Sequence, residues 1–225
     1  MYKRVVCFDL DDTLLKEIEY LKSAYKEIAF YAASACGKCL DSVSILSIKA
    51  YDEMLITYQK GENAFEQLNA YLGLQIDLKE YLQIYRSHKP MLSLSEDADV
   101  TLKTLKNQGC VLGLITDGRS LQQRNKIKAL GLYDYFEEEN IVISEEFGSE
   151  KPAFVNYEYF MKRYPKIETF VYVGDNPKKD FLAPNQLSWQ TICLLDNGKN
   201  IHKQNFDLPE AYLPKVKIYK LSEVI

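Results

Sequence analysis

Histidine is almost missing from this chain: there are two in 225 residues, His88 and His202. Cysteine occurs five times, an odd count that suggests no disulfide framework. The one close pair, Cys36-Gly37-Lys38-Cys39, lacks the second cysteine pair or the nearby histidines that a zinc site needs. It follows a helical pattern rather than a strand, which argues against a thioredoxin-type redox centre. Cys7, Cys110 and Cys193 fall in or beside apolar runs, where a free thiol behaves as a small hydrophobe. No apolar run approaches the length of a membrane span, and the first strand begins too early to leave room for a signal peptide. A soluble, cytoplasmic protein with no membrane partner is therefore expected. An excess of basic charge is also lacking. The net charge of −4 and pI near 5.4 argue against nucleic acid or an anionic membrane surface as a partner. Internal repeats and low-complexity segments are absent.

What is present suffices for a packed core: 47% of residues are apolar and 12% aromatic. Six segments read as strands, at 3–9, 111–116, 140–144, 169–174, 190–195 and 216–220. Helical patterns separate most of them, which predicts an α/β fold with a parallel sheet and covering helices. One helix is expected near 96–108, with Ser93 and Glu96 spaced as a capping box and Gly109 as the stop. Another, near 120–130, should end at Gly131.

The stretch 16–90 differs in kind. Ile18, Leu21, Tyr25, Ile28 and Ala32 follow helical spacing, as do Ile45, Ile48, Leu55 and Tyr58. Shorter helices fit Phe65, Leu68 and Leu72, then Leu78, Tyr81, Leu82 and Tyr85. No convincing strand interrupts them. The expected organisation is a core formed by 1–15 and 91–225, with 16–90 inserted as a helical domain. Its hinges should lie near Leu15-Lys16 and Ser87 to Pro90, where proline fixes the backbone.

The chemistry concentrates at strand ends. The run Val5-Val6-Cys7-Phe8-Asp9-Leu10-Asp11-Asp12-Thr13-Leu14 is a buried-strand pattern that ends in three acids. On extended backbone Asp9 and Asp11 project from the same side. Two carboxylates sharing a site ionise together only if a cation or a shared proton compensates, so the pattern suits a metal site. A second strand, Val111-Leu112-Gly113-Leu114-Ile115-Thr116-Asp117-Gly118, ends in a hydroxyl and a turn whose free N–H groups suit phosphate oxygens. Lys151-Pro152 follows, and then Val171-Tyr172-Val173-Gly174-Asp175-Asn176-Pro177-Lys178-Lys179-Asp180. In open α/β sheets, ligands bind at the carboxyl edge where these strands end.

Together, and in this order, these four segments resemble the four motifs of the haloacid dehalogenase superfamily. The first is Asp-x-Asp-x-Thr, and the last is Gly-Asp followed four residues later by Asp. The resemblance covers the whole chain. It implies a Rossmann-like core with a helical cap at the first insertion position (type C1), a cap that usually closes over small substrates. It also implies roles. Asp9 is the nucleophile that forms an aspartyl-phosphate, and Asp11 is the general acid and then the base. Thr116 with the turn Asp117-Gly118 holds the phosphate, and Lys151 neutralises its charge. Mg²⁺ is the expected cofactor, held by Asp9, the Asp11 backbone carbonyl and Asp175, with Asp180 behind them or acting through water.

Asp11 also separates the chemistries of the superfamily. Dehalogenases lack an acid at this place because a halide leaves unprotonated, so phosphoryl transfer is implied. The leading reading is a phosphatase of a small phosphorylated metabolite: a sugar phosphate, a nucleotide or a sugar-acid phosphate. A phosphomutase of the same superfamily and an inactive phospho-ligand-binding protein are the alternatives. Two departures from the family pattern stand out. Asp117 occupies a place where relatives carry Asn or Ser, and is expected to point away from the phosphate. Lys179 precedes Asp180 where Asn is common. Asp12 is expected to be a solvated or capping residue.

Overall fold

The computed structural model describes residues 4–37 and 39–225; Lys38, and Lys3 at the head of the first expected strand, lie outside the described residues. Six parallel strands form one sheet: β1 (Val5–Phe8), β2 (Val111–Thr116), β3 (Ile141–Ile143), β4 (Phe170–Gly174), β5 (Gln190–Leu194) and β6 (Val216–Ile218). Their spatial order is β3-β2-β1-β4-β5-β6, so the first strand of the chain is central and the order reverses direction beside it. Each strand falls within its expected segment, most of them shortened at an end. β1, β2 and β4 are buried throughout their length, as strands covered on both faces should be.

The chain divides into two compact units. One runs to Ile18 and resumes at Leu92–Ile225; the other is Glu19–Met91. The second unit is entirely helical among its described residues. α1 (Glu17–Ser34) leads into it, followed by α2 (Leu40–Gln59), α3 (Ala64–Leu72) and α4 (Leu78–Ser87). Tyr25 lies at its centre, edge-on to Tyr58 and Tyr85 and tilted against Phe65. Leu21, Tyr25, Ile28 and Ala32 are buried as their spacing predicts. α2 behaves differently. Val43, Ala50, Met54 and Thr57 form its buried face, while Ile45 and Ile48 remain 60% and 63% exposed. Two stripes on this helix satisfy the same period, and the one with smaller side chains turns inward, where α2 packs on α3. None of the helices among the described residues is long and apolar enough to cross a membrane.

The sheet unit contains the remaining helices: α5 (Glu96–Asn107), α6 (Ser120–Ala129), α7 (Ser144–Phe147), α8 (Val155–Arg163), α9 (Pro177–Asp180) and α10 (Leu182–Gln186). Tyr157 and Phe160 of α8 pack with Val5, Cys7, Tyr172 and Trp189 in one core cluster. Gly113 on β2 permits this approach. A Cβ there would lie 2.5 Å from the Phe160 ring and 2.6 Å from the Cys7 sulfur.

α5 begins two residues later than its capping-box pattern suggests. The residue that caps it is Ser95, not Ser93: extended backbone at Ser95 brings its hydroxyl to 3.2 Å from the Ala98 N–H. Glu96, Asp97 and Asp99 supply the negative first turn that the helix dipole favours. Ser95→Ala should therefore cost about 1 kcal/mol in denaturant unfolding. Ser93→Ala, at an exposed residue outside the helix, should stay within about 0.5 kcal/mol of the parent. Equal losses for the two variants would return the cap to Ser93.

Candidate active site

Strand order brings the site together. Asp9 directly follows β1, Thr116 ends β2 and Asp175 directly follows β4. Because β2, β1 and β4 are parallel neighbours, all three residues emerge at one carboxyl edge. The Asp9 N–H still donates to the Val173 carbonyl at 2.8 Å, so its backbone is fixed by the ladder. The chain then turns sharply. The N–H groups of Leu14 and Leu15 both donate to the Leu10 carbonyl, and Asp12 takes a left-handed φ of 58°. Asp12 is buried rather than solvated. Its carboxylate accepts from the Glu17 N–H at the start of α1 and from the Ile201 N–H, so it is the capping role that the structure supports.

A buried ion network lies at the centre. The Lys151 Nζ is 2.7 Å from Asp9 Oδ1 and 2.8 Å from Asp180 Oδ1, and it donates to the Tyr172 hydroxyl at 3.1 Å. Burial alone would pull the Lys151 ammonium down, but Asp180 and Asp9 hold it well above its ordinary value. Burial pushes Asp9 up to about 8, with Lys151 opposing and Asp180 adding to the rise. Asp175 is pushed up to about 9 by burial first, then by the charges of Asp180 and Asp9.

Both oxygens of Asp180 accept hydrogen bonds. Oδ1 accepts from Lys151 and from the Tyr172 hydroxyl, and Oδ2 accepts from the N–H groups of Asp175 at 3.0 Å and Asn176 at 2.7 Å. Gly174 leaves the space Asp180 needs, because a Cβ there would collide with its carboxylate. Asp180 therefore fixes Lys151 and the Asp175 backbone.

Asp9, Asp175 and Asp180 each present an oxygen within 4.8 Å of the others, the one such acidic group found among the described residues. Hard oxygen donors, buried and facing a single lysine, suit a divalent cation of the Mg²⁺ type. Asp9 and Asp175 retain acceptor positions for it. Asp175 is steadied by Asn200, whose Nδ2 donates to Oδ2 at 2.9 Å, and by Gln204, which donates to the Asp175 carbonyl at 2.7 Å. Lys16 in turn donates to Asn200 Oδ1 at 2.6 Å. None of these three supports was anticipated; they come from the turn after β1 and from a loop without regular periodicity.

The second acid of the first motif has different company. Asp11 lies outside the carboxylate group and accepts from Lys126 Nζ at 2.7 and 2.8 Å and from Gln123 Nε2 at 3.0 Å. Gln123 also donates to Thr116 Oγ1 at 2.6 Å, which leaves the threonine O–H proton available as a donor. Lys126 is also 3.8 Å from Glu17, which burial and then the Asp11 charge push up to about 7. Sequence reasoning missed Gln123 and Lys126. Their signal is the three-residue spacing on one face of α6, beside the buried Ile127.

The Asp117 carboxylate has protein partners of its own. Its Oδ1 accepts from the Lys151 N–H at 3.0 Å and its Oδ2 from Lys179 at 3.2 Å, so it ties the lysine loop to the end of β2. The Gly118 N–H donates to Ser144 Oγ at 2.9 Å, which fixes the same turn.

The chain is similar to known proteins over most of its length. The sequence model of the family described as haloacid dehalogenase-like hydrolase matches residues 6–193. A glyceraldehyde 3-phosphate phosphatase of Methanocaldococcus jannaschii is 32% identical over 196 residues, 84% of each chain. Another from Methanopyrus kandleri is 29% identical over 198 residues, 84% of this chain and 82% of that one. Among solved structures, the putative HAD-hydrolase YfnB of Bacillus subtilis, bound to magnesium, superposes with a TM-score of 0.65. At 22% identity it covers all of this chain and 97% of its own.

The raised carboxylates carry a measurable consequence. A carboxyl group whose pKa is higher in the folded state than its ordinary 3.8 binds more protons folded than unfolded. Metal-free protein should therefore lose stability as pH rises from about 4 through 8 to 9. Mg²⁺ should raise the thermal midpoint, and by more at the alkaline end than near pH 5, because it competes with those protons. A midpoint gain that does not depend on pH would show that the cation binds elsewhere.

Proposed function

The chain belongs to the haloacid dehalogenase-like hydrolases, and we propose that it is a cytoplasmic, Mg²⁺-dependent phosphatase of a small sugar phosphate. The first candidate substrate is a triose phosphate such as glyceraldehyde 3-phosphate, the substrate named for both curated relatives. The observation that carries this reading is the convergence of Asp9, Lys151, Thr116 and Asp175 at one sheet edge, with an acid two residues beyond Asp9.

Asp9 attacks phosphorus in line, and its carboxylate forms the aspartyl-phosphate while the P–O bond to the leaving alcohol breaks. Its backbone is fixed by the β-ladder, and Lys151 at 2.7 Å holds the carboxylate in place. Asp11 protonates the leaving oxygen, then takes a proton from the water that hydrolyses the intermediate. Thr116 donates its hydroxyl proton to a phosphate oxygen, and Lys151 offsets the charge that gathers on the transferring group. The carboxylates of Asp9 and Asp175 and the Asp11 carbonyl would hold Mg²⁺, which would supply charge neutralisation and alignment. Asp180 and Asp117 act behind these groups: Asp180 fixes the Lys151 head and Asp117 the Lys151 backbone.

The test is phosphate release from a panel of triose, pentose and hexose phosphates, nucleoside monophosphates, sugar-acid phosphates and para-nitrophenyl phosphate. Release should require Mg²⁺, stop in EDTA and be fastest with a sugar phosphate. Asp9→Asn should lower turnover on the order of a thousandfold or more while leaving thermal unfolding cooperative. Preference for nucleotides or sugar acids would refute the substrate class. Near-parental activity in Asp9→Asn would refute the covalent mechanism. Isomerisation of a sugar phosphate primed by its bisphosphate, without net phosphate release, would replace the phosphatase with a mutase.

A further inference from the structure

Lys126 is an expensive residue to place where it is. It lies within α6, is 1% exposed, and carries an ammonium that water no longer solvates. Its Nζ bonds both oxygens of Asp11, at 2.7 and 2.8 Å. Gln123, three residues earlier on the same helical face and equally buried, adds a third donor at 3.0 Å and joins Asp11 to Thr116 through the same nitrogen. An acid with no more than a solvated or steric role needs no such support from a helix more than a hundred residues away in sequence.

We propose that Lys126, assisted by Gln123, is a positioning residue that sets which oxygen of Asp11 exchanges protons with the reacting groups. The inference rests on the reading of Asp11 as the acid and base of the phosphatase. A carboxylate offers about four acceptor positions. Asp11 Oδ2 gives up two, one to Lys126 and one to Gln123, and Oδ1 gives up one to Lys126. One position remains, on Oδ1, and the Asp11 side chain keeps 20% of its surface open. In the first half-reaction, the proton at that position passes to the leaving oxygen as its bond to phosphorus breaks and the Asp9 oxygen–phosphorus bond forms. In the second, a water oxygen bonds phosphorus, the Asp9–phosphorus bond breaks, and the water proton returns to the same oxygen. Lys126 keeps its own protons throughout. Without the clamp Asp11 is free to rotate, and its proton is misplaced for both steps.

Leaving groups of different basicity test this. An alkoxide needs the proton, whereas para-nitrophenolate departs without one. Single-turnover release of the leaving group, with enzyme in excess and Mg²⁺ present, isolates the first half-reaction for each. In Lys126→Met, release from the best alkyl phosphate of the panel should fall on the order of tenfold or more, and release of para-nitrophenolate by a few-fold at most. Asp11→Asn should discriminate in the same sense and more strongly. The double variant should be no slower on the alkyl phosphate than Asp11→Asn alone, because both changes remove one function. Lys126→Arg should recover part of the lost selectivity. Lys126→Gln serves as the second variant if the methionine form does not fold.

Equal losses on the two substrates in Lys126→Met, alongside selective losses in Asp11→Asn, would overturn the positioning role and leave the phosphatase intact. Single losses that add in the double variant would overturn it in the same way. If Asp11→Asn itself fails to discriminate, the acid role falls and this inference falls with it.

Discussion

The contact between Lys151 and the carboxylates of Asp9 and Asp180 is the constraint on which the site depends. Two acids at the carboxyl ends of adjacent strands and a third from α9 are unstable company in a buried setting, and one ammonium at 2.7 and 2.8 Å is what makes their proximity tolerable. Lys151 in turn cannot be in water, so its own position must be fixed from every side. Tyr172 and Asp180 fix the head, and Asp117 fixes the backbone. One lysine facing Asp9, Asp175 and Asp180 leaves negative charge uncompensated, and a divalent cation fits that deficit.

Sheet topology explains why so few residues suffice. β1 is central, with β2 on one side and β4 on the other, and all three run in one direction. Residues that end these strands therefore arrive together however far apart they lie in sequence, and the insertion of seventy-odd residues after β1 does not disturb them. Gly113 and Gly174 serve the same end. One lets α8 close on the sheet, and the other leaves room for Asp180 to fold back onto the β4 terminus.

Much of this was legible in the sequence because its signals are local. Buried strands are runs of apolar residues, and the acids follow them directly, so Asp9, Thr116 and Asp175 were visible as strand ends. Resemblance to a family then supplied Lys151 and Asp180, which carry no local signature of their own. The unread parts depend on tertiary partners. Lys126 looks like any surface lysine on a polar helix until α6 is docked, and Gln123 likewise. Asn200 and Gln204 lie in a loop without periodicity, so nothing in their neighbourhood points to Asp175. On α2 the period is right and the phase wrong. Two apolar stripes compete, and only packing against α3 decides that Ala50 and Met54 go in while Ile45 and Ile48 stay out. Ser93 and Ser95 pose the same problem at smaller scale: two serines offer a cap, and the backbone conformation at Ser95 decides.

Asp9 and Asp11 are two residues apart and chemically identical, yet the fold gives them different surroundings. Asp9 is buried in the carboxylate cluster, and burial keeps its proton affinity high in the absence of a cation. Asp11 leaves that cluster and receives a separate ammonium, an amide donor and a partly open face. On the mechanism proposed above, Asp9 as nucleophile must be bare and aligned when the substrate arrives, whereas Asp11 as proton carrier must be oriented and reachable from outside. The two needs conflict if both carboxylates share one cation. On that reading, providing Lys151 for one and Lys126 for the other resolves the conflict, at the cost of burying two lysines.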